Sequence, residues 1–288
     1  MKVYIYHIKY LTGVAICLLG CRYAEAQQRK LELSVTSGST VSWISQELKV
    51  GETKNKNGVL FGLRSSLYLN DNWSLGLEVE YQSYRSDVRL NNVRDSYNTT
   101  DFDQEPFEFR YTANSYNEVQ RIENINVPVT LQYETDGRKV RFYALTGVKA
   151  GFVINGTTQT RIGSLVTSGY YPQYNAELFN PKFMGFGTFN NVKSAQKDLD
   201  AKMAWSATFE SGIKCFLNKK NAVYFGLFFD VGMNYIVDNE PTAKQLIVYP
   251  SDEYPVDLQY NSLSNTPYAE KMRLSSFGLK MRYSFFND

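Results

Sequence analysis

Between Gly58 and Tyr84 apolar and polar residues alternate with period two. Val59, Phe61, Leu63, Leu67 and Leu69 share one parity, and Gly58, Gly62, Arg64, Ser66 and Tyr68 the other. After Asn70-Asp71-Asn72 the alternation resumes. Trp73, Leu75, Leu77, Val79 and Tyr81 then oppose Ser74, Gly76, Glu78, Glu80 and Gln82. A period of two predicts strands with one apolar and one polar face, and Asn and Asp at the break predict a tight turn. Each arm exceeds the 5–6 residues usual for a soluble strand and approaches the roughly 9–11 that a tilted strand needs to cross a bilayer.

The same pattern predicts strands over residues 30–44, 124–134, 140–154, 203–217, 223–235 and 276–285. With the opening pair they make about eight, an even number as in single-chain bacterial outer-membrane barrels. Connections alternate between tight turns (at Asn70, Asp136 and Asn218) and longer segments. The polar stretches from Tyr84 to Glu123, Gly156 to Lys202 and Asp238 to Glu270 read as long loops, and Gln46 to Asn57 as a shorter one. The fold expected is therefore all-β, a transmembrane antiparallel β-barrel with short periplasmic turns and long extracellular loops. Rings fall at both ends of the strands: Trp73, Tyr133, Phe142, Phe225 and Phe285 by the short turns, and Trp43, Tyr81, Phe152, Trp205 and Tyr235 by the loops. Membrane interfaces favour such placement.

A ligand-binding calyx would alternate too, with its apolar face inward. Charge decides between the two. The polar parity carries Glu32, Arg64, Glu78, Glu80, Arg141, Lys149, Glu210, Lys214, Asp230, Lys280 and Arg282, while the apolar parity is essentially free of charge across the strand centres, as a lipid face requires. Arg64, Glu78, Glu80, Arg141, Lys149, Glu210, Asp230, Lys280 and Arg282 are accordingly expected to form a charge network filling a narrow lumen. Glu78 and Glu80 lie on one face of one strand, as an acid–base pair would, but ion pairing to Arg64 and Lys149 accounts for them.

The chain has 288 residues, 22 of them Tyr and 18 Phe. Lys2 and Lys9, the apolar run Leu11 to Gly20 and Ala24-Glu25-Ala26 read as a cleaved export signal over residues 1–26, leaving a barrel domain over 27–288. Leu18-Leu19-Gly20-Cys21 offers a second reading, acylation at Cys21. Removing Lys2, Lys9, Arg22 and Glu25 from 31 basic and 29 acidic residues leaves 28 of each. No basic surplus remains to point to nucleic acid. The single histidine, His7, leaves with the signal, as do Cys17 and Cys21. Cys215 then stands alone on the lipid-facing parity, and no intrachain disulfide can form.

Without histidine the mature chain lacks the side chain whose ordinary pKa lies nearest neutrality, so an enzyme is the least favoured class. No cofactor is expected. Asp101, Asp103, Glu105 and Glu108 could offer oxygens to calcium, but their spacing fits no specific loop and a solvated acidic turn explains them. Gly185-Phe186-Gly187 lacks a strand–helix context and reads as a surface turn. Tyr170, Tyr171, Tyr174, Phe179, Phe183 and Phe186 crowd the long segment from Gly156 to Lys202. Two readings stand for them: a partner-contact surface, or loops packed on one another as a cap.

Asn126-Val127-Pro128-Val129 entering one strand and Tyr143-Ala144-Leu145-Thr146-Gly147 in the next resemble the PorT-like outer-membrane β-barrel domain family. Gly278 to Phe286 resembles the terminal-strand signal read by the barrel-assembly machinery, although Asn287 and Asp288 follow the aromatic residue. The resemblance implies an exported barrel in the outer membrane of a Gram-negative bacterium, in contact with outer-membrane lipid and with that machinery during biogenesis. The function expected is a barrel presenting its loops to a protein or surface ligand, without catalysis. A membrane component of a secretion or uptake assembly is the alternative, and a small-solute pore is disfavoured.

Overall fold

The computed structural model describes residues 30–48, 51–237 and 243–287. The export signal expected over residues 1–26, Cys21 with it, lies outside them, as do Asp238 and Asp288. In chain order the strands begin with β1 (Leu31–Leu48), β2 (Glu52–Asn55), β3 (Asn57–Tyr68), β4 (Trp73–Leu90) and β5 (Val93–Thr100). Two very long ones follow, β6 (Pro106–Glu134) and β7 (Val140–Tyr171), then β8 (Ala176–Leu178), β9 (Gly187–Lys193) and β10 (Lys197–Asp198). The chain ends with β11 (Ala204–Phe216), β12 (Asn221–Gly232), β13 (Ile247–Val248), β14 (Gln259–Tyr260) and β15 (Ala269–Asn287).

Eight of these close a ring in the order β1-β3-β4-β6-β7-β11-β12-β15, with β15 returning antiparallel to β1 from Leu31↔Asn287 upward. The short turns are built as their asparagines predict. Asn70 Oδ1 accepts from the N–H groups of Asn72 (3.0 Å) and Trp73 (2.8 Å), and Asn218 Oδ1 from those of Lys220 (2.8 Å) and Asn221 (2.9 Å). In the ring the apolar parity faces out: Leu63, Phe142, Leu227 and Leu279 are 64–66% exposed. The polar parity is buried within, Glu32, Glu80 and Ser284 completely so. A polar inside and an apolar outside identify a lipid-embedded barrel.

Two of the long segments, Tyr84 to Glu123 and Gly156 to Lys202, correct the sequence reading, because most of their length is strand. β6 begins at Pro106 where a strand from Asn124 was expected, and β7 runs to Tyr171 where an end near Ile154 was expected. From Glu108↔Tyr170 to Glu134↔Tyr143 they pair almost without interruption. Beyond the bilayer they extend by roughly 50 Å of strand, at about 3.3 Å per residue. There β5 flanks β6, while β8, β9 and β10 flank β7. The result is a β-structured tower, with β2 adding to the upper part of β4 at its base.

The sheet creases part-way up the tower. Asn92, Ser115 and Asn191 have φ near +55° (53°, 56° and 53°), on three strands or their links. Their registers place them, with Gly163 of β7, in adjoining rows across the sheet. Each strand there spends an extra residue, so inward-facing residues resume one position late: Tyr116 then Ala113 on β6, Ile162 then Leu165 on β7. This is the effect of a β-bulge repeated across neighbouring strands, and it bends the sheet sharply.

Candidate functional site

At membrane level the lumen is a stack of ion pairs. By the short turns Lys214 Nζ lies 3.1 Å from Glu32 and 3.0 Å from Glu134, and donates to the Tyr68 hydroxyl (2.6 Å). Arg141, part-exposed at this rim, reaches Glu134 at 3.3 Å. Higher up, Arg282 lies 3.1 Å from Glu210, which also accepts from the Tyr143 hydroxyl (2.7 Å). Arg64 approaches Glu78 at 3.7 Å and donates to Thr130 Oγ1 at 2.8 Å. Lys280 stands 2.7 Å from Glu80 and 3.8 Å from Glu210, and Lys149 sits 2.8 Å from both Glu80 and Asp230.

All nine residues singled out for the lumen lie in this network. Glu32, Glu134 and Lys214 complete it, so six carboxylates meet six cations among the described residues. Tyr68, Tyr143 and Tyr224 were missed as members. Their signal was present: a tyrosine on the polar parity of a barrel strand has its hydroxyl inside. Two glycines make room for the charges. A Cβ on Gly76 would fall on the Arg64 guanidinium, and one on Gly226 on the Tyr143 hydroxyl. Buried charges are tolerated only when paired, and these leave long side chains across the bore.

Above the ions the interior turns apolar. Ile44, Tyr84, Ile122, Ile236, Met272 and Leu274 form a layer across the barrel mouth. Over it lies a polar step. Glu118, completely buried, accepts from Gln120 Nε2 (3.0 Å), Ser262 Oγ (3.3 Å) and the Leu263 N–H (2.7 Å), with no cation paired to it among the described residues. Burial raises its pKa. Higher still, Phe107, Phe109, Tyr111, Leu165, Tyr171 and Phe186 pack against Leu246, Ile247, Tyr249 and Leu258 from the third long segment.

The six aromatic residues of residues 170–186 therefore divide. Tyr171 and Phe186 point into the tower core, 4% and 0% exposed, and Tyr171 donates to Asp101 Oδ2 at 2.9 Å. Gly185 and Gly187 have positive φ, but the expected surface turn is corrected, since Phe186 between them is core. Tyr170 is half-buried beneath the Arg110 guanidinium, 4.6 Å from its ring centre. Tyr174, Phe179 and Phe183 are 50–62% exposed, and Phe183 packs edge-on against Tyr254 (5.9 Å), which in turn meets Phe102 (5.7 Å). The acidic group separates as well: Asp101 accepts from the Glu105 N–H (2.9 Å), Glu105 from the Tyr174 hydroxyl (2.8 Å), and Glu108 from Arg110. Among the described residues no three His, Cys, Asp or Glu side chains are arranged to hold a metal. Cys215 is a free thiol on the outward parity.

A ring of eight strands with a lipid-facing apolar wall agrees with the family match, in which residues 25–236 fit the outer membrane protein beta-barrel domain. The chain belongs to that family. Its setting is accordingly the Gram-negative outer membrane. The chain is similar to several solved structures. OprG from Pseudomonas aeruginosa is 13% identical, with 89% of this chain and 97% of that one covered and a TM-score of 0.39. Neisserial surface protein A is 9% identical, with 87% and 95% covered and a TM-score of 0.31. Ail of Yersinia pestis is 10% identical, with 89% and 99% covered and a TM-score of 0.32. No curated protein matches the sequence.

Proposed function

We propose that this barrel is a non-conducting, non-catalytic stalk that presents its β-tower as a binding surface for a protein or surface ligand outside the cell. One contrast carries the reading: the bore is filled by paired charges and capped by two apolar layers, whereas the tower tip leaves Phe102, Tyr174, Phe179, Phe183 and Tyr254 half or more exposed. Rings clustered at an exposed tip are what a contact surface uses. Within the family, the Asn126–Val129 and Tyr143–Gly147 motifs support a PorT-like affiliation. Eight-stranded barrels are about wide enough for side chains to fill, so planar-bilayer recordings are expected to show no steady conductance.

The deciding experiment is photo-cross-linking in intact cells from Tyr174 and Phe183, with Asn218 at the opposite rim as reference. Adducts from the tip and none from Asn218 support the reading. Adducts from Asn218 alone would move the protein into an envelope assembly, and none from either, with normal fitness after residues 172–187 are replaced by a short turn, would end it.

A further inference from the structure

The outward wall at the base of the tower carries positive charge that the protein neutralises only in part. Tyr81, Ile125 and Phe152 lie side by side across β4, β6 and β7 at the outer rim of the lipid-facing band. About 13 Å further along the strands, Arg85 and Arg121 are direct cross-strand neighbours, both exposed. With strands tilted by about 40°, that is about 10 Å above the rim, at headgroup level. In a higher row Arg89, Asn117, Arg161 and Lys193 follow one another across β4, β6, β7 and β9, so Arg161 faces Lys193 directly. Lys56 pairs with Asp87 at 3.0 Å, Lys54 with Glu52 at 3.6 Å, and Arg121 with Glu123. Arg85, Arg89, Arg161 and Lys193 make no ion pair among the described residues.

Like charges set directly opposite on a sheet repel and destabilise it. Glu123 answers Arg121, but Arg85 beside it and the Arg161–Lys193 pair above have no carboxylate of the chain among the described residues, and they call for an outside anion. We propose that this wall binds the phosphate groups of the phosphorylated glycolipid in the outer leaflet. Arg85 and Arg121 would take a phosphate at headgroup height, and Arg161 with Lys193 would take one on the proximal sugars. Height selects this occupant: the lower pair lies too close to the lipid-facing band for a soluble polyanion to reach without meeting headgroups first. The forked guanidinium donors suit phosphate oxygens. The tower would thereby be held upright by the lipid around it.

The test uses the full chain folded in detergent and offered a bisphosphorylated disaccharide glycolipid or its dephosphorylated form, with retained lipid counted by native mass spectrometry. Wild type is expected to retain the phosphorylated lipid at least about tenfold better. The doubles Arg85→Gln/Arg121→Gln and Arg161→Gln/Lys193→Gln should each lose about thirtyfold, at roughly a kcal/mol for each of the two surface cations removed. Lys219→Gln/Lys220→Gln at the short turns should change nothing. A second readout separates ligation from a structural role. Arg85→Gln, which breaks no ion pair, should hold or raise the unfolding temperature in glycolipid-free detergent, where it relieves repulsion with Arg121, and lower it once glycolipid is present. Equal retention of both lipids, undiminished retention by both doubles, equal loss in the short-turn variant, or a lowered unfolding temperature in both media would each overturn the proposal. So would a sulfated oligosaccharide bound in place of the glycolipid.

Discussion

Along β6 the interior of the molecule changes character between Asn124 and Ile122. Below that point the inward residues are Glu134, Gln132, Thr130, Pro128, Asn126 and Asn124, all polar but the proline; above it they become Ile122, Tyr116, Ala113, Tyr111, Phe109 and Phe107, with Gln120 and Glu118 as the one polar step between. The strand is continuous and the partner is β7 throughout. What differs is the solvent outside. In the bilayer the apolar effect acts on the outer wall, and the inside must satisfy polar groups among themselves. In water the same sheet needs an apolar interior to stay together. Barrel and tower thus rest on opposite forces, and each should fail under a different substitution.

The largest loss is expected in the barrel. Replacing Lys149 by Met leaves Glu80 and Asp230, both completely or almost completely buried, without their shared cation. Removing one member of a buried pair costs about 3–5 kcal/mol. Urea unfolding in lipid vesicles should show that loss for the whole ring, while Lys149→Met combined with Asp230→Asn, which leaves Glu80 its Lys280 partner, recovers most of it. An unchanged midpoint in the single variant would mean that the ion stack contributes nothing to the barrel.

The tower should fail alone. Leu165→Ala opens a cavity in a fully buried position between β7 and the folded-over segments; such truncations cost about 2–5 kcal/mol, and about 3 is expected here. Because the ring's own strands and ions are untouched, the loss should appear as new protease cleavage within residues 172–187, with heat-modifiable migration of the barrel intact. Simultaneous loss of both would show that the two regions fold as one unit.

The sequence was readable where one solvent governed. Gly58 to Tyr84 alternates cleanly because every residue either meets lipid or faces the lumen, so parity and charge predicted the ring and the composition of its interior. From Phe107 to Ala113 the alternation is just as strict, with Glu108, Arg110 and Thr112 between the apolar positions. The polar stretch around it carries the composition of a loop and masks it. Two physical causes hid it. The crease at Ser115 and Gly163 shifts the parity, so no single period-two frame spans β6 or β7. The apolar partners, Leu246, Ile247 and Tyr249, come from a segment far along the chain, and their meeting is a tertiary fact. Partition of the aromatic segment into Tyr171 and Phe186 inside, Tyr174, Phe179 and Phe183 outside, follows from that same packing.

The smallest effect lies at the joint between the two regions. Glu118 is a completely buried carboxylate of the tower, held by Ser262 and the Leu263 N–H of the segment that folds over the barrel mouth. No cation among the described residues offsets its burial, which raises its pKa above the ordinary carboxylate value of 4.5; Tyr116 beside it stays neutral because burial pushes that phenol up. An acid whose folded pKa is raised binds its proton more tightly in the docked form. Docking is therefore strongest below the ordinary carboxylate pKa and weakens as pH rises through the raised one. The magnitude is below about 1 kcal/mol, because three hydrogen bonds to the carboxylate oppose the burial term. A spin label at Asn265 should become more mobile as pH is raised from about 4 to neutrality. Glu118→Gln keeps one acceptor oxygen for the Leu263 N–H, turns its amide toward the Ser262 hydroxyl, which can accept, and removes the titrating group, so its label should report the same mobility at every pH. If the label on the wild-type chain instead tightens as pH rises, the carboxylate is stabilised by its donors more than burial penalises it, and the joint is electrostatically closer to the barrel than to the tower.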